Sequence, residues 1–134
     1  MKRITFTIII TFILCAIPTA LASRPPASYG LKNNTIYGKA SWYSKQSPGI
    51  NKRTANNEIF DDTEMTCAIW GVGFNRMVRV TNLSNGKSII VRVNDRGPHQ
   101  RFVAQGRRID LTRSAFRMIA PTRQGLVDVK IEIL

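Results

Sequence analysis

Residues 76–96, RMVRVTNLSNGKSIIVRVNDR, leave this chain few ways to fold. Two runs of β-branched residues flank Asn85-Gly86, a pair that tolerates the positive φ of a tight turn, so the stretch is predicted to be an antiparallel hairpin. Period-two alternation sets Val78 and Val80 on one face with Arg79 opposite. It likewise sets Ile89, Val91 and Val93 against Ile90 and Arg92. The C-terminal LVDVKIEIL repeats the pattern, with Val127, Val129, Ile131 and Ile133 facing one way and Asp128, Lys130 and Glu132 the other. YGKASWYS, from Tyr37, reads as a first strand. RRIDLTRSAFRMIAP reads as a strand to Leu111 followed by a brief helix capped by Thr112 and stopped before Pro121. Many short strands without a long helical period imply a mainly β fold, a small barrel with one or two short helices.

The N-terminus has a different character. Residues 1–22 carry Lys2 and Arg3, then an apolar run, Pro18 and the triplet Ala20-Leu21-Ala22, the layout of a signal peptide cut before Ser23. Pro18 and the small-residue end favour cleavage over retention as a single-span anchor, so no stable membrane span is expected in the mature chain. A lipid anchor at Cys15 is disfavoured, because Leu14 stands where such processing wants a small residue. Residues 23–36 read as a flexible linker and residues 37–134 as the domain. After cleavage Cys67 is the single cysteine, so no intramolecular disulfide can form and the thiol is expected to be buried in the core.

Loss of Lys2 and Arg3 lowers the formal charge from +12 to +10. A basic exported protein points to an anionic partner such as an acidic wall polymer or a membrane surface. Export, and the lack of any helix-turn-helix, zinc-finger or base-stacking pattern, argue against nucleic acid. With His99 as the only histidine, no metal-ligand cluster is expected, and no cofactor motif is present.

Against that charge, four of the eight acidic residues (Glu58, Asp61, Asp62 and Glu64) fall within seven positions. Asp61 and Glu64 have capping-box spacing, so a short helix beginning near Asp62 is expected to use Asp62 and Glu64 structurally. Asp128 and Glu132 belong to the outer face of the last strand. Glu58, Asp95 and Asp110 have no such duty. Asp95 stands at a strand mouth before the sheet-breaking Gly97-Pro98, where a turn or a pair with Arg96 would also explain it. Asp110, between Ile109 and Leu111, points away from both, as either a buried acid bonded to backbone amides or a reactive one.

The segments GKASWYS, RTANNEIFD, VRVTNLSNGKSIIVRVNDRGP and RRIDLTRSAF, with the closing strand, resemble in order and spacing the rare lipoprotein A (RlpA) family. Its members are septal lytic transglycosylases built on a double-psi β-barrel, a fold shared with expansins. The resemblance runs from Tyr37 to Leu134 and implies a six-stranded double-psi barrel. By position it implies that Glu58, Asp61 and Asp95 match acids of the family's catalytic groove and that Asp110 matches a further reactive Asp. It also implies substrate contacts from Trp42, Tyr43, Asn56, Trp70 and Arg96. Two positions depart from the family: Asn57 replaces a glycine, and Ile69 stands where the family has a groove histidine.

A lytic transglycosylase breaks the β-1,4 bond between muramic acid and glucosamine without water, leaving a 1,6-anhydromuramic end. Its acid must be neutral near pH 7, which requires a raised pKa. The resemblance thus implies an enzyme acting on peptidoglycan glycan strands, stem-peptide-free ones above all, in wall remodelling or daughter-cell separation. Glu58 is its expected general acid, Asp95 its charge partner or base, and Asp61 and Asp110 support them. The alternative is a non-catalytic, expansin-like glycan-binding module, which the loss of the histidine favours and the retained acids oppose.

Overall fold

The computed structural model describes residues 34–134. The expectations for the signal peptide, for Cys15 and for residues 23–33 of the linker lie outside the described residues. Six strands form a closed barrel: β1 (Thr35–Tyr43), β2 (Thr66–Ile69), β3 (Met77–Asn82), β4 (Ser88–Asp95), β5 (Arg107–Thr112) and β6 (Val127–Ile133). Their order around the barrel is β1-β5-β2-β4-β3-β6, with β6 returning to β1. The β1–β5 and β2–β4 pairs are parallel and the other pairs antiparallel. Two short helices, α1 (Gln100–Val103) and α2 (Arg113–Arg117), and a 3-10 turn at Thr122–Gln124 complete the fold. The first strand begins at Thr35, two residues before the boundary expected at Tyr37.

Alternation in the sequence fixes which residues fill the barrel. Val78, Val80, Val91, Val93, Ile109, Leu111, Val129 and Ile131 are fully buried, and Cys67 joins them as a free thiol whose pKa burial drives up. Phe116 and Ile119, carried by and just after α2, close one end. The helix starts where expected, with the Thr112 side chain accepting from the Ala115 amide.

The hairpin pairs Val80 with Ile89 and Thr81 with Ser88, leaving a connection of five residues, 83–87. Of the Asn85-Gly86 pair only Gly86 takes a positive φ, 73°. Asn85 instead acts through its side chain, donating to Ile119 O and accepting from Lys87 N. The buried Asn82 also donates to Ile119 O, at 2.9 Å, and accepts from Ser84 N, so the hairpin connection is tied to the end of α2.

The expected helix near Asp62 is absent. Residues 61–65 form a turn in which Asp61 Oδ1 accepts from the Thr63 amide (2.9 Å) and hydroxyl (2.7 Å). An Asx turn satisfies the same acid that a capping box would, and the chain then passes directly into β2. Asp62 does prove structural: it is buried, lies 3.4 Å from an Arg113 guanidinium nitrogen, and its carbonyl accepts from Ser114 N.

Candidate active site

Strand order brings together two acids that the sequence keeps fifteen positions apart. Ala68 of β2 is in register with Asp95 of β4 on one side and with Asp110 of β5 on the other; Asp110 in turn is in register with Ser41 of β1. Neighbouring strands lie about 5 Å apart, so the two acids flank Ala68 with roughly 10 Å between their Cα atoms. Inward-pointing Cys67 and Ile69 fill the core on either side of Ala68 in the chain, so this row faces outward. Its small methyl is the floor between the carboxylates.

A cavity of about 750 Å³ opens over this row. Trp42, Tyr43, Ala68, Trp70, Asp95, Arg96 and Asp110 line it, together with residues 47–51 and 53–55 of the β1–β2 connection and Pro98, His99, Arg101 and Phe102 of the β4–β5 connection. Both indole N–H groups are engaged, Trp42 Nε1 with Thr122 O (3.0 Å) and Trp70 Nε1 with Pro98 O (2.7 Å). That fixes the rings and leaves π-faces for a ligand. Tyr43 stacks on Phe60 with ring centroids 4.7 Å apart, and its buried hydroxyl has no hydrogen-bond partner among the described residues. Burial, then the negative charge of Asp95, raises its pKa.

The two cavity acids have different surroundings. Asp95 Oδ1 accepts from Arg96 N (2.8 Å) and from Ala55 N (3.0 Å), an arrangement that orients the carboxylate and ties loop 53–58 to the end of β4. Neither alternative considered for Asp95 forms: its carboxylate accepts from the next amide rather than from residue 97 as in an Asx turn, and the Arg96 guanidinium donates to the carbonyls of Ile69 and Asp95 instead of pairing with the Asp95 carboxylate. Asp110 is bonded to a side chain rather than to backbone amides: Arg107 Nε donates to Oδ1 at 2.6 Å. Desolvation raises the Asp110 pKa; Arg107 opposes the rise, Asp95 adds to it, and burial prevails. Gly97, at φ 155°, brings the backbone close; a Cβ there would stand 3.6 Å from Asp110 Oδ2.

Glu58, Asp61 and Asn56, expected in the groove, do not line this cavity. Glu58 is clamped by a bidentate pair, Arg92 Nη1 to Oε1 at 2.6 Å and Nη2 to Oε2 at 3.0 Å. Amides of Asn56 (2.7 Å) and Asn94 (3.2 Å) also donate to it. Hydrogen bonds from Arg92 first, then from Asn94 and Asn56, hold its pKa at about 2. A general acid needs the opposite shift, because four charge-assisted or amide donors favour the ionised form. Asn56 is consumed in the same knot, accepting from the Thr54 hydroxyl through Oδ1. Asp61 is half-buried, and its Thr63 bonds lower its pKa. Asn57 sits at φ 71°, a left-handed conformation that explains how it can replace the family's glycine.

Ile69 is 2% exposed and packs in the barrel interior, not in the cavity wall. Its carbonyl accepts from Arg96, whose guanidinium also lies 3.8 Å from the Phe74 ring centre. Sequence reasoning missed Ala68, Arg101 and Arg107. The spacing of Arg107 three positions before Asp110 was the one signal available for any of them.

The lytic transglycolase family model matches residues 35–131. The chain is 44% identical over 103 residues to the endolytic peptidoglycan transglycosylase RlpA of Vibrio cholerae, covering 77% of this chain and 37% of that protein. It is 44% identical over 97 residues to the protein of the same name from Pseudomonas aeruginosa, covering 72% and 27%. The chain thus spans well under half the length of these curated relatives. Among solved structures it is similar to the Streptomyces papain inhibitor (TM-score 0.58, 24% identity, 75% of this chain and 94% of that one). It is also similar to the expansin of Clavibacter michiganensis (TM-score 0.55, 20% identity, 75% and 50%). These two likenesses establish the barrel as a double-psi fold and go no further. The chain belongs to the lytic transglycolase family, to which its rare lipoprotein A resemblance pointed.

Proposed function

We propose that this barrel is an exported lytic transglycosylase that cleaves peptidoglycan glycan strands to 1,6-anhydromuramic ends. The observation that carries the proposal is the pair Asp95 and Asp110, set either side of Ala68 on the floor of one cavity, in a chain 44% identical to named peptidoglycan transglycosylases.

The roles follow from the surroundings of each acid. Asp110, with its raised pKa, is the general acid: its protonated carboxyl donates to the glycosidic oxygen as the bond to muramic C1 breaks. Asp95, oriented by two backbone amides, is the charge partner and base. It takes the proton of the muramic C6 hydroxyl as that oxygen closes on C1, so no water is consumed. The partly positive sugar formed at bond breakage lies between the carboxylates and is stabilised by the negative charge of Asp95. Trp42 and Trp70 offer faces to sugar rings, and the Tyr43 hydroxyl is a free donor beside both acids. Arg53, Arg96 and Arg101 give the wall a positive charge suited to a strand whose lactyl carboxylates are free of stem peptide.

Glu58 acts at a distance in this scheme. With Arg92 it holds Asn56 and Asn94, and the same loop presents the Ala55 amide to Asp95. The expansin-like binding reading loses its main support, because Ile69 lies in the core and takes nothing from the cavity wall. The test is incubation of the mature protein with glycan strands stripped of stem peptides, with products read by mass spectrometry. Anhydromuramic ends should appear with the wild type and vanish with Asp110→Asn and Asp95→Asn. Binding without any product from the wild type would leave a wall-binding barrel instead.

A further inference from the structure

The proposed chemistry leaves the histidine of the cavity wall without a task. His99 is exposed, lines the cavity that holds Asp95 and Asp110, and sits in the connection between the strands that carry them. Four contacts hold it in place. Its carbonyl accepts from Phe102 N (2.8 Å) and Val103 N (3.2 Å), the preceding Pro98 is pinned through its carbonyl by Trp70 Nε1 (2.7 Å), and the Phe102 ring meets the imidazole edge to face at 6.4 Å.

The remaining contact sets the tautomer. Arg101 N donates to His99 Nδ1 at 3.3 Å, so Nδ1 is the acceptor and the ring N–H is on Nε2. Nε2 makes no hydrogen bond among the described residues. The result is a preorganised, unused N–H donor on the wall of a sugar-sized cavity, with its orientation already fixed before a ligand arrives.

We propose that His99 is a substrate-contacting residue of this groove, donating from Nε2 to a hydroxyl or N-acetyl carbonyl oxygen of the glycan strand. The barrel thereby gains from the β4–β5 connection a histidine that β2 lacks, since Ile69 is turned into the core. The inference rests on the glycan-cleaving reading for its ligand.

Two substitutions separate the donor from the cap. An Asn amide reaches about as far as Nδ1, so His99→Asn keeps an acceptor for the Arg101 amide and removes the distal donor. A Gln amide reaches about as far as Nε2, so His99→Gln keeps the donor and forfeits the cap. Affinity for stem-peptide-free glycan strands is measured in the Asp110→Asn background, and kcat/KM in the otherwise native protein. One lost hydrogen bond predicts that His99→Asn weakens binding about 5- to 10-fold and raises KM with kcat little changed, while His99→Gln stays within about 2-fold of wild type. His99→Asn binding as tightly as its parent would overturn the inference, as would His99→Gln falling as far as His99→Asn. Weaker binding by His99→Asn in a protein that never cleaves would sink the transglycosylase reading alone. Cleavage unaffected by His99→Asn would sink this inference alone, and a native protein that neither binds nor cleaves would sink both.

Discussion

Replacing Glu58 with Gln distinguishes an acid that reacts from one that holds the loop. The wild-type carboxylate takes two bonds from Arg92 and one each from Asn56 and Asn94, and its pKa falls from 4.5 to about 2. Taken at face value, that shift corresponds to roughly 3 kcal/mol at neutral pH. The side chain is 35% exposed, so solvent screening reduces the contribution to about 1 kcal/mol. Glu58→Gln should therefore lower stability by about 1 kcal/mol at pH 7, or about 4–8 °C in Tm for a domain of this size. The sign of the pH dependence follows from the depressed pKa. The stabilisation is complete above the unfolded value near 4.5 and fades as pH falls from there toward about 2, where the folded carboxylate also protonates. Urea unfolding followed by tryptophan fluorescence, run at pH 7 and at steps down to pH 3, should show the gap between the two proteins constant above pH 5 and narrowing below it. In cleavage assays the variant should retain about a tenth or more of wild-type activity. Equal stability of the two proteins at pH 7, together with complete loss of cleavage, would refute the reasoning and return Glu58 to the chemistry.

Arg107→Gln removes the cation that holds the Asp110 pKa down, so the alkaline limb of the kcat/KM profile should move to higher pH; a limb moving lower would mean that another group is the acid. Gly38→Ala places a methyl against the Arg108 side chain and 2.9 Å from Gly106 O at the β1–β5 junction, and should cost about 1–3 kcal/mol in urea unfolding. Asn82→Ala removes two hydrogen bonds of a buried side chain, one to Ile119 O, which keeps only the Asn85 amide, and one from Ser84 N, and should cost about 1–3 kcal/mol, with cleavage unchanged when assayed well below the melting temperature.

The barrel was legible in the sequence wherever one face of a strand is buried and the other is not. The strands β3, β4 and β6 alternate because half of each points inward, and the hydrophobic pattern reports this directly. Strand β2 escaped notice because all four of its residues are buried, two by the core and Ala68 by the loop packed outside it. The acid cluster misled for a related reason: Asp61 and Glu64 carry helix-capping spacing, yet an Asx turn satisfies Asp61 equally well and nothing local separates the two.

The site was readable as a set of residues and not as an arrangement. Asp95 and Asp110 stood out because neither had a strand or helix duty, but that Ala68 lies between them depends on a strand order, β5-β2-β4, which no local pattern encodes. The ion pair of Glu58 was not legible because its partner Arg92 lies 34 positions away on β4. Ile69 looked like a lost groove residue until the pleat of β2 turned its side chain into the barrel.

The most direct test of the proposed chemistry is to let the mature protein act on stem-peptide-free glycan strands in water enriched in heavy oxygen, and to weigh the new muramic ends. Intramolecular closure by the C6 hydroxyl predicts anhydro ends that carry no label, with none formed by Asp110→Asn. New reducing ends carrying the heavy isotope would show that water is the nucleophile, and would contradict the assignment of Asp95 as the base for ring closure.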